Sequence, residues 1–429
     1  MTVPATSLLS GLNGRLPELR TLYEDLHAHP ELSFQEVRTA GIVAARLREQ
    51  GWDVTEGVGA TGVVGVLTAG DGPVVLLRAD MDALPVKEET GLPYASTRTA
   101  VDAAGDEVPV MHACGHDMHV TWLLGATALL AANRHAWRGT VVAVFQPAEE
   151  IGGAAAVIDD GFLERFPRAD VCLGQHVAPL PAGFVGTRPG PVMAASDSLR
   201  VRLTGRGGHG SMPEATVDPV VMAAAIVMRL QTVVSREVGS GQQAVVTVGS
   251  IHGGTKENII PDTAELTINI RSTVPAVRER VLDAVQRIIR AEAVASGAPE
   301  EPEITHFNAF PATVNEPQAT AAVRAALTEA LGEEHVLTLP HTLPASEDFG
   351  TFGTALRAPS VFWYVGGTDP AAYKAVDHDA LLENGIPAGI PGNHSPLFAP
   401  AVDPTVEVGV TSLLAAAAQW LDAGAEPAR

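Results

Sequence analysis

The sequence predicts an α/β protein: a mostly parallel sheet covered by helices, with a ferredoxin-like α+β unit inserted into it. Three observations carry that prediction. Short β-branched runs such as Gly62–Leu67 and Thr140–Phe145 alternate with helical periods, the pattern of a sheet buried on both faces. Between Leu199 and Phe307 the pattern becomes strands with one polar face, in the order β-α-β-β-α-β. From Asn308 the longer helices and buried strands return, so the small unit interrupts the large one. The boundaries read as 1–194 and 308–429 for the large unit and 195–307 for the insert. At 429 residues the chain is long for one core, which also favours two units.

The opening helix is expected from near Leu8 to Leu26, ending in His27-Ala-His-Pro-Glu31, where Pro30 stops it. His27 and His29 read either as an exposed helix end or as a wall of the active site. Ser33-Phe-Gln-Glu36 has the form of a capping box, and the helix after it repeats Val37, Ala40, Ala44 and Leu47 on one face. Strands follow at Gly62–Leu67 and Pro73–Arg78, then a helix marked by His119, Leu123, Ala126 and Leu130. The strands Thr140–Phe145 and Asp170–Gln175 run into Glu149-Glu150 and His176. Polar residues thus collect just after strand ends, the edge at which open α/β sheets bind ligands. In the insert, Val220, Ala223, Val227, Leu230 and Val234 space out as a helix, and Ala264, Leu266, Ile268 and Ile270 share a strand face.

Composition narrows the function. The net charge of −22 and the lack of a basic run argue against nucleic acid and anionic membrane surfaces. Met1 to Gly11 lacks a basic head with an apolar stretch, and no run of about 18 apolar residues appears, so no signal peptide or membrane span is expected. The two cysteines, Cys114 and Cys172, do not make a disulfide framework, and a reducing cytoplasm fits.

One stretch concentrates the chemistry. Met111-His-Ala-Cys-Gly-His-Asp-Met-His119 packs three histidines, a thiol and a carboxylate into nine residues, and these are the usual ligands of zinc and similar ions. Gly115 permits a tight backbone that lets Cys114 and His116 point at one ion, although a buried cysteine beside a surface histidine would read the same. Glu149 and Glu150 would repel each other unless solvated or beside a metal, where one can ligate while the other is a general base. His176 and His394 would each alone more often be structural histidines, but together with these donors they complete a set sufficient for one or two metals. In the insert, Gly205-Arg-Gly-Gly-His-Gly-Ser-Met-Pro213 holds His209 in a turn flexible enough to reach out of its unit. Arg271, with Asn258 as an amide neighbour, suits a substrate carboxylate, or is a surface charge.

These motifs together resemble the aminoacylase/carboxypeptidase clan of two-metal hydrolases. Within it the chain is most similar to the amidohydrolase branch of hippurate hydrolase, N-acyl-amino-acid amidohydrolase and auxin-conjugate hydrolase. The likeness runs through His27-Ala-His-Pro-Glu-Leu-Ser, Arg78-Ala-Asp-Met-Asp-Ala-Leu-Pro, Met111-His-Ala-Cys-Gly-His-Asp, Gln146-Pro-Ala-Glu-Glu, Gly207-Gly-His-Gly-Ser, Asn258-Ile-Ile-Pro, Ser346-Glu-Asp-Phe and Gly392-Asn-His. The resemblance implies a two-metal aminopeptidase-like large domain and an inserted lid. It implies Cys114, His116, Glu150, His176 and His394 as metal ligands and Glu149 as general base. It implies His209, Asn258 and Arg271 as substrate contacts, with His209 reaching across a homodimer formed through the lid. Many clan members carry His-x-Asp where this chain has Asp80-Met-Asp82. Here Cys114 takes the ligand's place, and Asp82 orients a neighbouring ligand. A thiolate favours Zn²⁺ over Mn²⁺ by softness.

The expected reaction is hydrolysis of N-acyl amino acids to a carboxylate and a free amino acid. Glu149 takes a proton from water and delivers it to the leaving nitrogen, His209 helps stabilise the oxyanion, and Arg271 and Asn258 hold the substrate carboxylate. The alternatives are a dipeptidase or carboxypeptidase of the same clan, and a metal-binding protein without catalysis. A structural zinc module fits worse, because ligands from Cys114 to His394 lack the close spacing of such sites.

Overall fold

A computed structural model describes residues 2–373, 386–387 and 389–423. The chain forms two compact units, one of 1–192, 314–341 and 348–429, the other of 193–313 and 342–347.

The first unit is built on an eight-stranded sheet. Its strands, from edge to edge, are Asp53–Val58, Gly62–Thr68, Thr140–Gln146, Val74–Asp80, Val171–Pro181, Ser360–Thr368, Val185–Thr187 and Val336–Thr338. The four central strands from Thr140–Gln146 to Ser360–Thr368 are parallel to one another, and antiparallel pairings lie toward the edges. Val74–Asp80 and Thr140–Gln146 are almost wholly buried, as continuous apolar runs require. The Val171–Pro181 strand continues five residues past His176, so that histidine stands within a strand, not after one. It nonetheless lies beyond the last pairing with the neighbouring strand, Arg78 with Gly174, and so reaches the same sheet edge as Asp80.

Helix His116–Ala132 is buried on every side except near its last turn, which explains the absence of a polar face in its sequence. It starts at Gly115, whose φ is +81°; a Cβ there would lie 2.4 Å from Val177 Cγ1. Only glycine serves there, and the close approach brings Cys114 and His116 up to the Val171–Pro181 strand.

Ser33 and Glu36 do not form the expected capping box. Ser33 Oγ donates to Asp82 Oδ2 at 2.7 Å, and Glu36 Oε1 accepts from Phe34 N. The helix Val37–Glu49 is capped instead by Glu31, which accepts from Arg38 N and Thr39 N at 2.9 and 2.8 Å. The capping residues have been diverted to tertiary contacts. The opening helix runs Leu12–His27, somewhat later than its periodicity suggests, after a short turn at Ala5–Leu8.

The second unit is a four-stranded antiparallel sheet in the order Ala244–Gly253, Thr263–Ser272, Ala195–Thr204, Glu303–Phe310. Helices Pro219–Glu237 and Pro275–Ala295 pack on it, giving the β-α-β-β-α-β sandwich. Ala264, Leu266, Ile268 and Ile270 face the helices as expected. The Pro219–Glu237 helix is rotated from its expected face: Met222, Ala223, Ile226, Leu230 and Val233 are buried, whereas Val220 and Val234 are 40% and 38% exposed. By length and composition alone this helix could cross a membrane. Its buried stripe lies instead in the core of this unit.

Candidate metal centre

The ends of two strands, the middle of a third, the start of one helix and the loop of His394 deliver the polar residues to one place in the first unit. Cys114 Sγ lies 3.4 Å from His176 Nε2, and the ligand atoms of Cys114, His116 and His176 all fall within 4.8 Å of one another. Cys114, Glu150 and His394 form a second such cluster, and His116, Glu149 and Glu150 a third. Thus all five residues expected as ligands, and Glu149, converge. His394 is brought in by a left-handed residue, φ +70°, and by its amide donating to Ala113 O at 2.8 Å. The neighbouring Asn393 Nδ2 donates to Cys114 O and Val177 O at 3.1 and 3.2 Å, pinning the loop to the cysteine.

The hydrogen bonds set which nitrogen each histidine presents. His176 Nδ1 donates to Val177 O at 2.7 Å, leaving Nε2 facing Cys114. His116 Nδ1 is bound to Asp82 Oδ1 at 3.2 Å, and its buried Nε2 has no hydrogen-bond partner. Glu150 Oε1 is likewise buried with no hydrogen bond, although His394 Nε2 lies 3.2 Å away. A buried polar atom without a partner is costly, and a cation beside Glu150 would satisfy His116 Nε2. These donors therefore fit a divalent metal. Asp80, His116 and His119 also lie close enough to cluster. His119 has no lone pair to offer, because Nδ1 bonds Asp80 Oδ1 and Nε2 accepts the Val177 amide at 2.8 Å.

Asp82 is saturated. Its Oδ1 accepts from Glu149 N and its Oδ2 from Glu150 N, at 3.0 and 3.1 Å, besides the bonds to His116 and Ser33. Burial alone would raise its pKa, but the bond to His116 and the other partners hold it below the usual carboxylate range. Asp80 is also held below the usual carboxylate range: against its burial stand the nearby His116, His119 and Arg78.

Beneath the site lies a network among Arg78, Gln146 and Asp348, residues whose motifs carry the family resemblance but to which the sequence assigns no role. The buried Arg78 donates to Gln146 Oε1, Asp80 Oδ2 and Asp348 Oδ1 at 2.8, 2.7 and 3.0 Å. Gln146 Nε2 and Ala154 N in turn donate to Asp348. The signal available was a charged residue at the end of an apolar strand run, which nothing in the spacing paired with residue 348.

His27 is not an exposed helix end. It is fully buried, with Nδ1 2.6 Å from Asp117 Oδ2 and Nε2 3.0 Å from Glu88 Oε1. Burial alone would lower its pKa, but these two carboxylates raise it to about 9. A folded pKa above the unfolded one stabilises fully below about 6.5, and the contribution is lost as pH rises through about 9. His27→Leu is expected to destabilise by about 3–5 kcal/mol near pH 6, because it leaves two buried carboxylates without their cation. The difference from wild type should shrink between pH 6.5 and 9 in denaturant unfolding; a constant difference would rule out the imidazolium. His29 is half-buried beside Asp25.

In the second unit, His209 pairs with Ile259 across a short two-stranded turn, and Gly210 N donates to Asn258 O at 2.9 Å. His209 and Asn258 are therefore neighbours. His209 is exposed, with Nδ1 accepting from the Ser211 hydroxyl at 2.7 Å. Arg271 lies at the other end of the strand that begins at Thr263, with one guanidinium N–H on Pro344 O at 2.7 Å. At the rise of a β-strand this puts it roughly 25 Å from the His209 turn. The structure does not bring Arg271 and Asn258 together within one chain.

A mostly parallel α/β sheet whose edge gathers a cysteine thiol, three imidazoles and two adjacent carboxylates defines a metal-dependent hydrolase. Residues 76–390 match Peptidase family M20/M25/M40, and the chain belongs to that family. It is 39% identical to hippurate hydrolase of Campylobacter jejuni, over 78% of this chain and 85% of that one. It is 38% identical to thermostable carboxypeptidase 1 of Saccharolobus solfataricus, over 80% and 84% of the two chains. It is similar in structure to YXEP of Bacillus subtilis, a dinuclear metal-binding peptidase of the M20 family, with a TM-score of 0.72 and 30% identity over 95% of this chain and 98% of that one. The protein is accordingly a metal-dependent amidohydrolase.

Proposed function

We propose that the protein hydrolyses N-acyl amino acids to a carboxylate and a free amino acid. Cys114, His116, Glu150, His176 and His394 would hold two divalent ions, Zn²⁺ by preference because of the thiolate, with Mn²⁺ as the alternative. The observation that carries this reading is the sharing of Cys114 between two ligand clusters, with Glu149 beside His116 in a third.

When bound, the metal lowers the pKa of water to about 7 and polarises the amide carbonyl. Glu149, whose Oε2 lies 4.0 Å from His116 Nε2, would take a proton from the attacking water and pass it to the leaving nitrogen. Asp82 holds the backbone amides of Glu149 and Glu150, so both carboxylates are aimed from a fixed turn. The likeness to hippurate hydrolase, and to N-acetylcysteine deacetylase of Bacillus subtilis at 36% identity, supports the N-acyl amino acid class.

A homodimer accounts for the separation of the substrate-binding residues. Arg271 from one copy, with His209 and Asn258 from the other, could serve one substrate, His209 at the oxyanion. The Ala244–Gly253 edge strand and the exposed Val221 and Met228, 64% and 72% accessible, offer an apolar face for the second copy. A monomer in sedimentation velocity would remove this part of the reading. Two unpaired cysteines suit a cytoplasmic setting.

The deciding experiment measures amino-acid release from N-acetyl, N-benzoyl and long-chain N-acyl amino acids and from dipeptides, with and without chelator. Chelator-sensitive cleavage of the acyl amino acids is expected. Cleavage of peptides alone would favour the carboxypeptidase or dipeptidase reading, which the likeness to the Saccharolobus enzyme supports. No turnover by metal-loaded protein would leave only a binding role.

A further inference from the structure

Three consecutive backbone amides, Ala148, Glu149 and Glu150, donate to side-chain carboxylates, and two buried residues share them. Asp82 accepts from Glu149 and Glu150. Glu36 Oε1 accepts from Ala148 N at 2.8 Å. Glu36 is fully buried, and its two oxygens join three segments. Oε1 also takes the amide of Phe34 at 3.0 Å, and Oε2 takes the Thr61 hydroxyl.

The segment it holds is one that would not hold itself. Ala148 is in the left-handed region at φ +53° and Phe34 at φ +61°, both unfavourable for residues with a Cβ. The chain then turns so tightly that a Cβ at Gly153 would lie 1.9 Å from Pro147 O. Such a turn persists only where its surroundings over-determine it. Here the amide just before the two functional carboxylates is tied to a residue 112 positions away.

We propose that Glu36 is a positioning residue for Glu149: by holding the Ala148 amide it sets the turn from which the general base is aimed. The inference rests on the reading of Glu149 as base. Glu36 is itself not a ligand and belongs to none of the ligand clusters among the described residues. Burial pushes its carboxyl up to about 7, against the pull of Thr61, so a neutral side chain is a fair mimic.

Three substitutions test this. Glu36→Leu removes the acceptor, Glu36→Gln keeps Oε1 for both amides, and Glu36→Asp keeps the charge but shortens the reach. Glu36→Leu is expected to lower kcat by on the order of 10- to 100-fold, the range for lost outer hydrogen bonds. KM and metal content should stay near wild type, and Glu36→Gln should restore most of kcat. Glu36→Asp should fall between them, and it carries the test if the leucine variant does not fold. Hydrogen–deuterium exchange of metal-free protein supplies a readout independent of activity. Peptides covering 146–153 should exchange faster in Glu36→Asp and Glu36→Leu than in wild type or Glu36→Gln. Unchanged exchange and unchanged kcat per folded enzyme would overturn the proposal, as would loss of metal in step with activity. If wild type hydrolyses nothing while the exchange pattern holds, the reading of Glu149 as base fails and the anchoring by Glu36 stands.

Discussion

Glu149→Gln is expected to lower kcat by on the order of 10²- to 10⁴-fold, the usual cost of a lost general base, with metal content unchanged. The amide preserves the shape of the side chain, and the backbone bond from residue 149 to Asp82 Oδ1 does not depend on it. What is lost is a group that can accept a proton at neutral pH and give it back. Steady-state kinetics beside metal analysis separate the two effects. Full activity would remove Glu149 from the role, and loss of metal would make it a ligand.

Cys114→Ala should lose both metal and activity, because Cys114 is the one residue shared by the His116/His176 and Glu150/His394 clusters. A fully loaded, active variant would sink the ligand assignment. The same site should release protons as it binds metal. Burial pushes the Cys114 thiol above its ordinary value, and contacts with Cys114 and then Glu150 push His394 up to about 10. Both must be deprotonated to ligate, so protons compete with metal and apparent affinity should fall as pH falls. Calorimetric titration of metal in buffers of different ionisation enthalpy measures the protons released.

Much of the site was legible because its donors are chemically rare. A cysteine, three histidines and two adjacent acids stand out against a chain with 18% charged residues, and the strand pattern places the two acids and His176 at one edge. His27 was ambiguous for the opposite reason. Its helix shows where it ends, but not that Asp117 and Glu88, from two other segments, close over it. The capping-box pattern at Ser33 and Glu36 was misleading because a local rule sees only local partners. Both side chains found stronger use elsewhere, with Asp82 and Ala148.

The sequence by itself determined the fold class and which donor types are candidates for a metal, because periodicity and donor chemistry are local properties of the chain. Only the tertiary structure decided the tautomer that His176 presents, the exclusion of His119 from the ligands, the Arg78–Asp348 support and the anchoring of the Glu149 turn by Glu36. In most of these the partner is remote in sequence: 58 positions separate His119 from Val177, 112 separate Glu36 from Ala148 and 270 separate Arg78 from Asp348. A buried polar group must find a partner wherever the packed chain supplies one, and no spacing along the sequence records which residue that is.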